Sequence, residues 1–263
     1  MSCYWVGIFR KCGAFTPAAL LVLCAASILS AQSSLPGSPA AEATIASAKP
    51  ALTSGEIVDE MLRHNQARAE GLKHYQSVRH YEVDYKGYSA RVGAKLVVEA
   101  NYDAVSGKTF HIVSQSGNSL LIDKVLKRLL ESEKDADKNK SSTALTPANY
   151  KFRLSGIEIV AERPAYILEV EPLSDNKYLY RGKIWVDAAD FAVAKIAAAP
   201  AKNPSFWISR TAFSHEYLKT DGFWLPAQNR SETKVRVGGT AVLTIDYGKY
   251  QVVPESPVAG GGS

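Results

Sequence analysis

The chain has 263 residues, 46% of them hydrophobic and 22% charged, with 31 basic against 26 acidic side chains. That is enough for one domain with a substantial core, and the mixed charge, with no basic stripe, excludes a nucleic-acid binder. Cys3, Cys12 and Cys24 are the only cysteines, so from residue 25 onward there is neither disulfide nor thiolate chemistry.

Residues 1–31 read as a secretory signal peptide. Arg10 and Lys11 form the positive region, Ala18 to Leu29 an apolar stretch of twelve residues, and Ala31 and Ser33 supply small residues for cleavage. The stretch is too short to span a bilayer. Leu23 stands before Cys24 where a lipid-modification signal requires a small residue, so the sequence predicts an exported, periplasmic product without a lipid anchor. Processing leaves 29 basic against 26 acidic residues. Residues 32–52 are rich in Ala, Ser and Pro, a flexible tether, and 254–263 form a tail that cannot pack a core. A single domain is expected over 53–253.

Thr53-Ser54-Gly55-Glu56 is a capping box that opens a helix, with Ile57, Met61 and Leu62 on its apolar side and Gly71 at its end. The period then changes to two. In HYEVDYK, Tyr81, Val83 and Tyr85 alternate with charged residues, and in KLVVEANY, Leu96 and Val98 share a face opposite Lys95 and Glu99. One face buried and one wet is the pattern of an antiparallel sheet. After KTFHIVSQ comes a different segment, GNSLLIDKVLKRLLESEKDADKNK, in which Leu121 and Ile122, Val125 and Leu126, and Leu129 and Leu130 form apolar pairs every four residues. Such pairs make a wide stripe on an α-helix.

Seven further strand-like runs follow, several of ten or more residues, joined by turn signals at Asp187 to Asp190, Asp221-Gly222 and Gly238-Gly239. A two-residue loop at Gly238-Gly239 would set Val235 opposite Val242 and Lys234 opposite Leu243. Long twisted strands in hairpin succession curl. The expected fold is therefore mainly β with cover helices: an incomplete, half-open antiparallel β-barrel of about ten to eleven strands. Its lid helices lie over the concave face.

Catalytic and metal signatures are missing. His64, His74, His80, His111 and His215 have no metal spacing and read as surface or boundary residues. SQSGNS lacks the framing glycines of a nucleophile elbow, and Asp187 with Asp190 reads as a solvated turn pair rather than an acid and a base. Glu82, Asp84, Glu99, Lys183, Lys195 and Arg210 break the uncharged band that a transmembrane barrel requires. No enzyme, cofactor or metal is expected.

The order of elements, with GKIWVDAADFAVAKI, DGFWLPAQN and LTIDYGKYQV near the end, resembles the bacterial outer-membrane lipoprotein-sorting family, the LolA/LolB-like proteins, with relatives of the RseB/MucB sensor type. The resemblance covers roughly residues 53 to 252. It implies an apolar cavity for the acyl chains of lipids or lipoproteins, closed by helices, in a monomeric cell-envelope protein that contacts a membrane transiently. Alternation places Tyr81, Val83, Tyr85, Leu96, Val98, Tyr166, Leu168, Ile184 and Val186 in the cavity, with Leu121, Val125, Leu126 and Leu129 on the lid. The competing reading is an envelope sensor or protein-interaction module, with an envelope protein as partner and a cavity filled by its own side chains.

Overall fold

The computed structural model describes residues 52–135, 143–176, 178–203, 206, 208–236 and 238–253. The signal peptide, the tether up to residue 51, the end of the inserted helical segment at 136–140 and the tail lie outside the described residues. Helix α1, Ser54–Gly71, opens on the expected capping box: the Thr53 side chain accepts from the Glu56 N–H while the Glu56 carboxylate accepts from the Thr53 N–H. Ten strands follow, β1 His74–Gly87, β2 Arg91–Asp103, β3 Gly107–Gly117, β4 Tyr150–Val160, β5 Arg163–Pro172, β6 Tyr180–Asp187, β7 Val193–Pro200, β8 Ile208–Thr220, β9 Phe223–Val235 and β10 Gly239–Val253. All pair antiparallel in one sheet ordered β3-β2-β1-β10-β9-β8-β7-β6-β5-β4. The last strand, β10, thus pairs with the first, β1, in the interior of the sheet, which stays open with β3 and β4 as its edges.

The helical segment is inserted between those two edge strands. It runs as α2, Ser119–Leu121, a π-helical stretch over Ile122–Leu126, and α3, Lys127–Asp135. The Asn118 side chain caps its start by accepting from the Leu121 N–H. Breaks in register at Ser77/Arg79, Leu154/Gly156 and Glu216/Tyr217 are bulges that add twist and help the long strands curl. The result is a half-open barrel with helices on its concave face.

At the β9–β10 hairpin the structure differs from the two-residue loop. Val235 pairs with Gly239, and the loop takes three residues. The backbone explains the choice. Gly239 adopts φ +145°, and a Cβ there would lie 1.9 Å from the Lys86 carbonyl oxygen, so β1 approaches β10 too closely for any other residue. The shift turns Lys234 outward and brings Ser231 opposite Leu243, on the inner face.

The apolar side chains do not form one core. One cluster joins Tyr81, Val83, Leu96, Val98, Leu243 and Ile245 of β1, β2 and β10 to the inserted helix. Another joins Ile57, Val58 and Met61 of α1 to Leu168, Ile184, Val186, Ile196 and Phe213 of β5 to β8. Each helix covers its own half of the sheet.

Candidate functional site

The sites inferred from alternation divide between these halves. Tyr81, Val83, Leu96 and Val98 are buried under the inserted helix, in contact with Val125, Leu126 and Leu129; Leu121 packs there half-buried. Leu168, Ile184 and Val186 are buried under α1, with Tyr166 half-buried beside them. Tyr85 is half-buried near the end of β1. Apart from Tyr85, the inferred residues thus fall in two apolar wells, each packed full by the protein's own side chains.

Between the wells the inner face turns polar. Thr211 and His215 on β8 and Ser231 and Thr233 on β9 are buried, and the Thr211 and Thr233 hydroxyls lie 3.2 Å apart. Cross-strand pairing fixes the position of this strip. Ser231 sits between Leu243 of the first cluster and Phe213 of the second, and Asn229 between Ile245 and His215. Asn229 Nδ2 donates to the Tyr247 hydroxyl at 2.9 Å. His215, read from sequence as a surface or boundary residue, is only 7% exposed. Alternation along β8 puts it on the same face as Phe213, and burial pushes its pKa down to about 4.

The first well ends in a charge. Arg79 on β1 points inward, its side chain 2% exposed, and its Nη1 donates to Glu133 Oε2 of α3 at 2.8 Å, where Glu133 is 15% exposed. Tyr81 donates to the other Glu133 oxygen at 3.2 Å. The guanidinium also lies over the rings of Phe110 and Tyr247, 5.4 and 4.9 Å from their centroids. Burial works against the charge on Arg79, but Glu133 and the surrounding phenols outweigh it and keep the arginine protonated. One ion pair therefore fastens the inserted helix to the floor beneath it. Sequence reading began this strand at His80 and missed Arg79; the signal was the alternation Tyr75, Ser77, Arg79, Tyr81, which carries an arginine at an inward position.

Asp187 and Asp190 also differ from expectation. Asp187 is 1% exposed and accepts from Arg163 Nε and Nη2 at 2.6 and 2.9 Å and from the backbone of Ala189 and Asp190. Asp190 accepts from Arg163, Lys219 and the Trp224 indole. The turn is a hydrogen-bonded node with Asp187 buried and Asp190 partly so, because β5, β8 and β9 all bring donors to it, which hairpin spacing alone does not reveal. Arg68 of α1 donates to the Asp190 and Phe191 carbonyls, so the node also anchors that helix.

Among the described residues no group of three or more His, Cys, Asp and Glu could hold a metal ion, and no helix is long and apolar enough to cross a membrane. Each helix thus caps a packed apolar cluster on the inner face of the sheet. No family model and no curated protein matches the sequence. Among solved structures, the chain is similar to a domain from Vibrio parahaemolyticus assigned as an outer membrane lipoprotein-sorting protein, at 13% identity and TM-score 0.42, covering 76% of this chain and 93% of that one. It is similar to a LolA superfamily protein from Nitrosomonas europaea at 12% identity and TM-score 0.33, covering 79% and 96%. It is also similar to a MucA/MucB complex from Pseudomonas aeruginosa at 12% identity and TM-score 0.24, covering 76% and 99%.

Proposed function

We propose that the protein is an exported periplasmic binding or carrier protein for an acylated or otherwise apolar ligand, a lipid or lipoprotein, and performs no covalent chemistry. The observation that carries this reading is the inserted helix. It meets the sheet through the side chains of Ile122, Val125, Leu126, Leu129 and Leu130 and through the Arg79–Glu133 ion pair, so it can lift without breaking a sheet ladder. Lifting it would open Tyr81, Val83, Leu96 and Val98, a surface suited to acyl chain. Each buried methylene contributes about 0.8 kcal/mol, so one long chain offsets much of the cost of displacing the helix. The protein acts as a monomer and meets the membrane only to load or unload.

A second reading, an envelope sensor or protein-interaction module, is favoured by one observation: the protein's own side chains already fill each well. Native mass spectrometry of processed protein, purified gently from the export compartment and followed by solvent extraction, separates the two. The carrier reading predicts a stoichiometric lipid-sized adduct. Consistently ligand-free protein that also fails to take up an apolar fluorescent probe would refute it.

A further inference from the structure

Two buried oxygens on the inner face, Ser231 Oγ and Asn229 Oδ1, have no hydrogen-bond partner. Leaving such atoms unmet is costly, on the scale of a lost hydrogen bond each. Ser231 is 4% exposed. Both residues lie on β9 two positions apart, so their side chains share a face with about 6.7 Å between their Cα atoms. Their needs differ. The Asn229 amide nitrogen is already engaged with Tyr247, which leaves its oxygen as an acceptor that only an N–H or O–H can meet. The Ser231 hydroxyl can donate.

The surroundings define the rest of the ligand. Across the strands, Leu243 and Ile245 lie on one side of the pair and Phe213 and His215 on the other, so beside Ser231 apolar surface extends both ways at right angles to β9, while Asn229 faces His215 on the β8 side. A ligand crossing the sheet there would lay one apolar arm in each well and set its middle over β9. A secondary amide fits that middle. It is planar, its N–H and C=O point in opposite directions across the chain axis, and two hydrogen bonds of about 2.9 Å on opposite edges span a distance of about 7 Å, close to the spacing along the strand.

We infer that the strip formed by Ser231 and Asn229 recognises a secondary amide set between two apolar chains, its carbonyl accepting from Ser231 and its N–H donating to Asn229. The ligand class is then N-acylated amines or N-acylated peptides rather than fatty esters. This rests on the apolar-ligand reading above, and it adds a selectivity that burying acyl chain cannot supply, because a purely hydrophobic well disfavours the more strongly hydrated amide against the ester.

The test uses a matched set: N-hexyldecanamide, its N-methyl derivative and hexyl decanoate, each displacing N-phenylnaphthylamine from the processed full-length protein. The secondary amide should bind about tenfold or more tightly than the other two, since each leaves Asn229 Oδ1 unmet. Ser231→Ala, which removes an unpartnered hydroxyl and should not harm folding, should weaken all three by a similar factor because all three carry the carbonyl. Asn229→Leu should weaken the secondary amide alone and bring it to the level of the ester or below, since its N–H is then buried without a partner. Equal displacement by all three in the wild-type protein would overturn the inference and leave the apolar-ligand reading intact. A protein that takes up neither probe nor ligand would overturn both.

Discussion

Replacing Glu133 by Gln removes one charge and almost no volume. Arg79 then keeps its burial and loses its counter-ion. The Tyr75, Tyr81 and Ser77 hydroxyls lie at 3.4 to 3.5 Å from the guanidinium, too long to replace a charge-assisted bond. The faces of Phe110 and Tyr247 remain, each worth about 0.5 to 2 kcal/mol. Against that, the attraction between unit charges a few ångströms apart at an effective dielectric of ~20 is about 4 kcal/mol. The net expectation is a loss of about 3 kcal/mol, within the range for breaking a buried pair from one side.

Urea unfolding followed by intrinsic fluorescence, with the slope checked for constancy, measures this loss. Arg79→Met and Glu133→Leu complete a double-mutant cycle. Each single substitution should be strongly destabilising, while the double variant should return to within about 2 kcal/mol of the wild type because no buried charge is left unmatched. A loss below about 1 kcal/mol for Glu133→Gln, or a coupling energy near zero, would place the pair with surface salt bridges and refute the reasoning. The same variant should take up an apolar probe faster, since the ion pair restrains the helix that covers the first well.

Acid should destabilise the fold in two windows. His215 has a folded pKa of about 4 against about 6.5 unfolded, so the unfolded chain binds more protons between those values. Stability is lost as pH falls through that window, by up to roughly 3 kcal/mol, and His215→Gln should flatten the pH dependence measured by urea titration there. Asp187 and Asp190 add a lower window. Burial pushes both carboxyls up, but hydrogen bonds from Arg163 to Asp187 and from Lys219 and Trp224 to Asp190 hold both below the usual range. Their contribution is present above the unfolded pKa and is lost as pH falls from there through the lowered folded value, so Asp187→Asn should reduce acid sensitivity below about pH 4. Leu126→Ala, at a fully buried position under the inserted helix, should cost about 2 to 5 kcal/mol by thermal or urea unfolding. Gly182→Ala should cost about 2 kcal/mol or more, since its Cβ would lie 2.3 Å from the Ala197 carbonyl oxygen on the neighbouring strand; an unchanged midpoint would mean that β6 and β7 pack less closely than described.

The fold was largely legible because its signals are local. Alternation in HYEVDYK and KLVVEANY marks one face of β1 and β2, the Thr53 capping box marks the start of α1, and the paired leucines mark the helix between β3 and β4. The apolar candidates fell on inward faces for the same reason. Interactions that depend on register were not legible. Asp187 reads as a turn acid until Arg163, 24 residues earlier, is brought beside it by the β5–β6 ladder. Arg79 reads as the charged residue ahead of a strand until Glu133 arrives from a helix 54 residues later.

The polar strip was hidden for a further reason, which bears on the proposed selectivity. In QNRSETKV almost every residue is polar, so hydrophobic periodicity assigns no inner face to β9 at all. The face is set instead by its neighbours: Leu243 on β10 and Phe213 on β8 are buried, and Ser231, paired to both, is carried inward with them. An apolar residue at 231 would have merged the two clusters into one core. Serine keeps them separate and puts a hydrogen-bonding group at their boundary. A single-chain fatty acid needs only one well, whereas a ligand that uses both must cross β9 and meet the strip. On the proposed apolar-ligand reading, selectivity would therefore depend on where along its length a ligand carries its polar group, more than on how much apolar surface it offers.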